Sequence, residues 1–146
     1  MVFKLFIDPN CGEEVVANVH ARTPLIDEIE RLVIQDSLTD QLPGYLDDEI
    51  TLLRIDDIEC FVVENERTLA VYADGERYLI RKRLYELEGG LPGHFERISK
   101  SAIANWKKIS KFKVQLSGAV DAVFQNGYVE CISRRCFAEL KRRYGL

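Results

Sequence analysis

The chain is poor in the residues that catalytic and metal chemistry need. It has two histidines, His20 and His94, in unrelated contexts, and four cysteines, Cys11, Cys60, Cys131 and Cys136, without a C-x-x-C pair. That spacing makes no zinc ligand set, so no metal or other cofactor is expected, and the thiols read as free, most of them as small core residues. No P-loop, G-x-G-x-x-G or G-x-S-x-G motif occurs, and no acid, base and nucleophile converge in the pattern, so an enzyme is not expected. No apolar run approaches the roughly 18 residues of a membrane span, and Asp8 interrupts the start where a secretory signal would stay apolar. The expected location is the cytoplasm. What is present is ordinary globular material: 146 residues, 47% hydrophobic and 30% charged, enough for one core with a small appended unit.

The net charge of −4 conceals a split along the chain. Residues 1–75 carry 5 Lys and Arg against 17 Asp and Glu, a net of −12, whereas residues 76–146 carry 15 against 7, a net of +8. The second half therefore has the balance of a polyanion-binding surface, with a plain solvated face as the alternative. The acidic runs Asp47-Asp48-Glu49 and Asp56-Asp57 match no calcium loop and read as solvated turns.

Periodicity predicts a small strand-strand-helix unit at the start. Val2–Ile7 and Val15–Ala21 read as strands joined by a turn through Asp8-Pro9-Asn10-Cys11-Gly12. A helix follows, capped by Thr23 with Pro24 in first position, and its Leu25, Ile29, Leu32 and Val33 share one face. That face suits either self-association or packing on its own domain. Ser37–Asp48, with Pro43 and Gly44, reads as the linker, which divides the chain into 1–43 and 44–146.

Beyond it the pattern turns to short strands: Ile50–Arg54, Glu59–Val63, Thr68–Tyr72 and Arg77–Ile80, with Asp74-Gly75 as a hairpin turn. Arg81–Glu88 reads as a short helix stopped by Gly89-Gly90, with Leu84 and Leu87 inward. Strands are then expected at Phe95–Ile98, near Lys113–Leu116, at Val120–Gln125 and at Tyr128–Ile132, the last two joined through Asn126-Gly127. A final helix, Arg135–Tyr144, places Phe137, Leu140 and Tyr144 on one face. The fold class is mainly β with short helices, an α+β arrangement.

Two basic groups stand out in the second half. Arg97, Lys100, Lys107, Lys108, Lys111 and Lys113 are interleaved with Ser99, Ser101, Asn105 and Trp106, a mixture suited to phosphate contacts with hydroxyl and amide groups as further donors. Ser133-Arg134-Arg135 opens the last helix, where an arginine can fork onto guanine O6 and N7; a solvated helix start is the plain alternative.

Together these groups carry a resemblance. The run Phe95-Glu96-Arg97-Ile98-Ser99-Lys100-Ser101-Ala102-Ile103-Ala104-Asn105, followed by Asn126-Gly127, Ser133-Arg134-Arg135 and Leu140-Lys141, resembles the LytTR family of bacterial DNA-binding domains over residues 44–146. In that family an F-x-R-I-S/H-K/R-S-x-I-V-N run precedes an N-G-x-x-x-x-x-S-R run. The resemblance implies an elongated antiparallel β domain whose loops enter the DNA grooves, here preceded by the small N-terminal unit. It implies base reading by Lys100 and Arg135, with Arg67 as the choice within a third loop, Asn65-Glu66-Arg67. Phosphate contacts fall to Arg97, Ser101, Asn105, Lys107, Lys108, Ser133 and Arg134. Ala104, Trp106 and Cys136 depart from the family's usual Val, Leu and Tyr and read as core substitutions.

The expected protein is a stand-alone transcription regulator that binds double-stranded promoter repeats as a homodimer. Family regulators are often paired with an inhibitory membrane protein, which the resemblance implies as a partner. The competing expectations are a protein-interaction module or anti-regulator docking on an acidic partner, and, less well suited to its aromatic pattern, an RNA binder.

Overall fold

The computed structural model describes residues 1–10, 15–38 and 41–146, with the side chains of residues 34–38 excepted. Helix α1 spans Pro24–Leu38. Strands β1 (Gln41–Leu46), β2 (Glu49–Arg54), β3 (Ile58–Glu64), β4 (Arg67–Tyr72) and β5 (Arg77–Ile80) follow, then α2 (Leu84–Glu88). Strands β6 (Phe95–Ser99), β7 (Ala102–Asn105), β8 (Ile109–Val114), β9 (Val120–Phe124) and β10 (Val129–Ile132) lead to α3 (Arg134–Tyr144). The mainly β class with few helices is the one expected.

The strands form two antiparallel sheets, one of seven in the order β2-β1-β5-β4-β3-β7-β6 and one of three in the order β10-β9-β8. Interior strand β3 is buried from Ile58 to Val62, and a register shift between Ile58 and Cys60 marks a bulge at Glu59. The extra residue lets Ile58 and Phe61 serve one core while Cys60 and Val62 serve another. The first core joins Ile58 and Phe61 to Leu42, Leu53, Ile80 and the α2 residues Leu84 and Leu87. The second, between the two sheets, joins Cys60 and Val62 to Ile98, Ala122, Phe124, Ile132 and Leu140 of α3.

The hairpin signals form as expected. Gly75 and Gly127 hold φ of +86° and +89°, which a side chain would strain. Asp74 and Asn126 each accept, through a side-chain oxygen, the backbone N–H two residues on.

Four expectations need correction. The segments Val2–Ile7 and Val15–Ala21 are not strands: their described residues carry no regular structure and stay exposed, since a hairpin without a sheet to join gains too little burial. The expected linker holds β1, paired along its length with β2; Thr39 and Asp40 lie outside the described residues. Pro43 is tolerated there because β1 meets β5 only at Tyr45↔Leu79. Gly44 is needed there because a Cβ would lie 2.6 Å from Leu53 Cδ1 and 2.8 Å from Tyr78 Cβ. Strand β7 was not expected, although all four of its residues are buried between β3 and β6. Of the cysteines, Cys60 alone is buried among the described residues; Cys131 is exposed, Cys136 half-buried, and Cys11, with Gly12 of the expected turn, lies outside them.

Candidate nucleic-acid interface

Three turns and one helix start meet at a single end of the molecule, and backbone hydrogen bonds hold them there. The β6–β7 turn, Lys100-Ser101, stands between the other elements. On one side the Ser101 carbonyl accepts the Val63 N–H at 2.8 Å, which brings in the β3–β4 turn at Asn65-Glu66. On the other the Ile98 carbonyl accepts the Ser133 N–H, also at 2.8 Å, which brings in the start of α3. Arg134 then reaches across to the Ser117 carbonyl at 3.1 Å and adds the β8–β9 turn, an element the sequence reading missed.

The Lys100 turn is braced by Arg97. Its Nε donates to the Ser99 carbonyl at 2.7 Å and Nη2 to the Lys100 carbonyl at 2.6 Å, while Nη1 lies 3.2 Å from Glu88. The planar fork suits this task, which a lysine cannot perform. Arg97 thus positions the turn that displays Lys100.

Helix α3 is fastened to β6 at both ends. Ser133 caps it, its Oγ accepting the Cys136 N–H at 3.2 Å. At the far end Arg143 Nη1 and the Tyr144 hydroxyl both donate to Glu96, at 2.6 and 2.8 Å, and Tyr144 stacks on Trp106 with centroids 4.3 Å apart. Trp106 is therefore a packing residue, as its departure from the family pattern suggests. The first turn of α3 holds no acid but two arginines, Arg134 and Arg135. The helix dipole disfavours cations there, so an anion placed beside that turn would be doubly welcome.

Lys100 and Arg135, 35 positions apart in the sequence, line one cleft of about 510 Å³ with Ser99, Ser133 and Glu139. Both side chains are exposed, and Arg67 is exposed on the adjoining β3–β4 turn. In that turn Asn65 and Glu66 have φ of +51° and +63°, the tight left-handed pair of a two-residue hairpin. Lys113, exposed near the end of β8, leads into the β8–β9 turn.

Three of the expected phosphate contacts do not belong to this end. Asn105 is fully buried: its amide donates to the Ile58 carbonyl at 2.9 Å and its Oδ1 accepts the Lys107 N–H at 3.1 Å, so it holds β3, β7 and the following turn together. Lys107 and Lys108 sit in the 3-10 turn at the opposite end of β7 from Lys100, four strand residues or about 13 Å away. Lys108 is half-buried near the carboxyl of Glu59, whose pKa burial raises and Lys108 partly restores.

Among the described residues no group of three or more His, Cys, Asp or Glu could hold a metal ion, and no helix is long and apolar enough to cross a membrane.

A β-rich unit with exposed cations gathered at one end, and no two helices joined by a short turn among the described residues, is a class of unit suited to contact with nucleic-acid phosphates. The chain belongs to the LytTr DNA-binding domain family, whose model matches residues 48–145. It is 31% identical over 149 aligned positions to an uncharacterized HTH-type transcriptional regulator of Staphylococcus aureus strain NCTC 8325, covering 100% of this chain and 99% of that one. The counterpart in the bovine strain RF122 is 32% identical with the same coverage. Among solved structures, the LytTr DNA-binding domain of a methyl-accepting/DNA response regulator from Bacillus cereus superposes with a TM-score of 0.68 at 16% identity, over 74% of this chain and 99% of that chain. The fold is thereby that of a LytTr domain.

Proposed function

We propose that the protein is a transcription regulator that binds double-stranded DNA sequence-specifically, with its turns entering the major groove. The observation that carries this reading is the convergence at one end: Lys100 and Arg135 share a cleft, and Arg67 stands on the adjoining turn. Lys100, Arg135 and Arg67 read base edges. Ser101, Ser133, Arg134 and Lys113 beside them hold phosphates, which fixes register and supplies sequence-independent affinity. The names of the staphylococcal relatives support the regulatory role.

Residues 44–146 are the DNA-binding unit and residues 1–43 an extension; the protein acts in the cytoplasm, as a homodimer on paired repeats, without catalytic activity. The family resemblance adds an inhibitory membrane protein as its regulator. Footprinting on the DNA upstream of its own gene tests the central part. Protection of two short repeats, at a salt concentration that releases random DNA, is expected; uniform protection or none contradicts it.

A further inference from the structure

The extension and the sheet each leave an apolar surface uncovered. Strand β2 forms one edge of the seven-stranded sheet, and its Ile50 and Leu52, 65% and 62% exposed, lie on the face opposite buried Leu53. Exposed apolar edges are what soluble proteins normally blunt with charge, a bulge or a cover. Near the N-terminus, Phe3, Leu5, Phe6 and Ile7 are 69–86% exposed, in a stretch with the composition of a strand but no strand paired with it among the described residues. Among the described residues nothing covers it.

We infer that residues 2–7 of one copy add to the β2 edge of a second copy, and reciprocally, so that exchanged strands join two chains. This deepens the homodimer part of the proposed function and rests on it. Sequence complementarity fixes the direction. Set parallel to β2 with Phe3 beside Ile50, the segment places Leu5 beside Leu52 and extends the same apolar face. The same setting brings the terminal amine and Lys4 toward exposed Asp47, Asp48 and Glu49. An antiparallel setting would carry the amine toward Arg54 and Asp8 toward the acidic turn instead. Main-chain hydrogen bonds supply affinity in such strand addition, and alternate side chains supply register.

The exchange is made twice, so Phe3, Leu5, Phe6 and Ile7 meet Ile50 and Leu52 in both copies, and all six are exposed in the single chain. Reciprocity closes the assembly as a two-fold dimer, and no unpaired copy of either surface is left to propagate a fibre. The staphylococcal relatives align across the whole chain, the extension included.

Sedimentation of the full chain without DNA tests the exchange. The chain should sediment at twice its monomer mass. A chain with both Phe3→Asp and Leu5→Asp, and separately a Leu52→Lys chain, should each fall to monomer mass; all three side chains are exposed, so the fold survives. Mixing the two variants should restore a dimeric species weaker than the parent dimer, because one of its two exchanges then joins an intact strand to an intact edge. A dimer untouched by either variant overturns the exchange and leaves the homodimer reading standing. A monomeric parent chain overturns the exchange, and protection of the residue 2–7 amides from hydrogen exchange in that monomer would identify docking on the chain's own edge. None of these outcomes bears on base reading, which the DNA titrations measure.

Discussion

The backbone N–H of Ser133 donates to the carbonyl of Ile98 at 2.8 Å. Through that bond the cap of α3 and the turn carrying Lys100 become one rigid unit, since Ile98 is fully buried and precedes the turn by two residues. The two exposed cations, Lys100 and Arg135, are thus held in place by backbone geometry rather than by each other. Precise placement of this kind is what specificity needs, because a misplaced base contact discriminates nothing.

Arg97 braces the turn that displays Lys100, so the proposed base reading by Lys100 depends on it. Arg97→Ala should lower stability by about 1 kcal/mol, the net worth of its partly solvated hydrogen bonds, and should reduce the ratio of operator to random affinity. The salt slope of binding should stay the same, as the guanidinium is already engaged by two carbonyls and Glu88 within the protein. Arg97→Lys should not restore the ratio, because an ammonium cannot serve two carbonyls and Glu88 with one fork. A salt slope reduced by about one unit in Arg97→Ala would instead make it a phosphate ligand.

Asn105 is a structural residue despite its place in a polar, basic run. Asn105→Ala leaves the Ile58 carbonyl and the Lys107 N–H without their buried partner, and should cost about 1–3 kcal/mol in urea unfolding. Once folded, the variant should bind DNA with the parent's salt slope. Unchanged stability with weakened DNA binding would reverse this assignment.

The sequence makes legible whatever depends on local chemistry. Asp74-Gly75 and Asn126-Gly127 announce their turns because left-handed backbone needs glycine and a side-chain acceptor, and Ser133 announces a helix start because its hydroxyl caps one. The basic clusters likewise announce a polyanion surface. What stays hidden depends on distant partners. Ala102 and Ala104 give β7 no strand signature, since their small size answers the crowding between β3 and β6. Gly44 looks like a linker residue until Leu53 and Tyr78 are seen against it. Lys107 and Lys108 look like neighbours of Lys100 in sequence, yet a strand carries them to the other end. The joining of Lys100 to Arg135 runs through a bond between positions 98 and 133 that no local pattern encodes.

Glu59, at the β3 bulge, is 1% exposed and its Oε2 lacks a hydrogen-bond partner. Burial raises its carboxyl pKa above the usual 4.5, only partly offset by Lys108 and the backbone of Gln125. The folded state therefore holds this proton more tightly than the unfolded chain. Stability from this group is present below the unfolded pKa and is lost as pH rises through the folded one. Glu59→Gln should raise the thermal midpoint at pH 7 and narrow the difference between pH 5 and pH 7. A lower midpoint at pH 7 would mean that the attraction to Lys108 outweighs the cost of burial.

The most direct test of base reading compares substitutions at the converged end by competition titration, with an operator fragment against random duplex at two salt concentrations. Arg135→Ala and Lys100→Ala should each lower the operator-to-random ratio by roughly 1–3 kcal/mol, about 5- to 150-fold, while random binding changes little. Lys113→Ala should weaken both DNAs alike and lower the salt slope by about one unit. Lys107→Ala, at the far end of β7, should leave the ratio and the slope as they are. If Arg135→Ala and Lys100→Ala lower operator and random binding in equal proportion, the cleft they share holds only phosphate, and the account of sequence reading by these turns is contradicted.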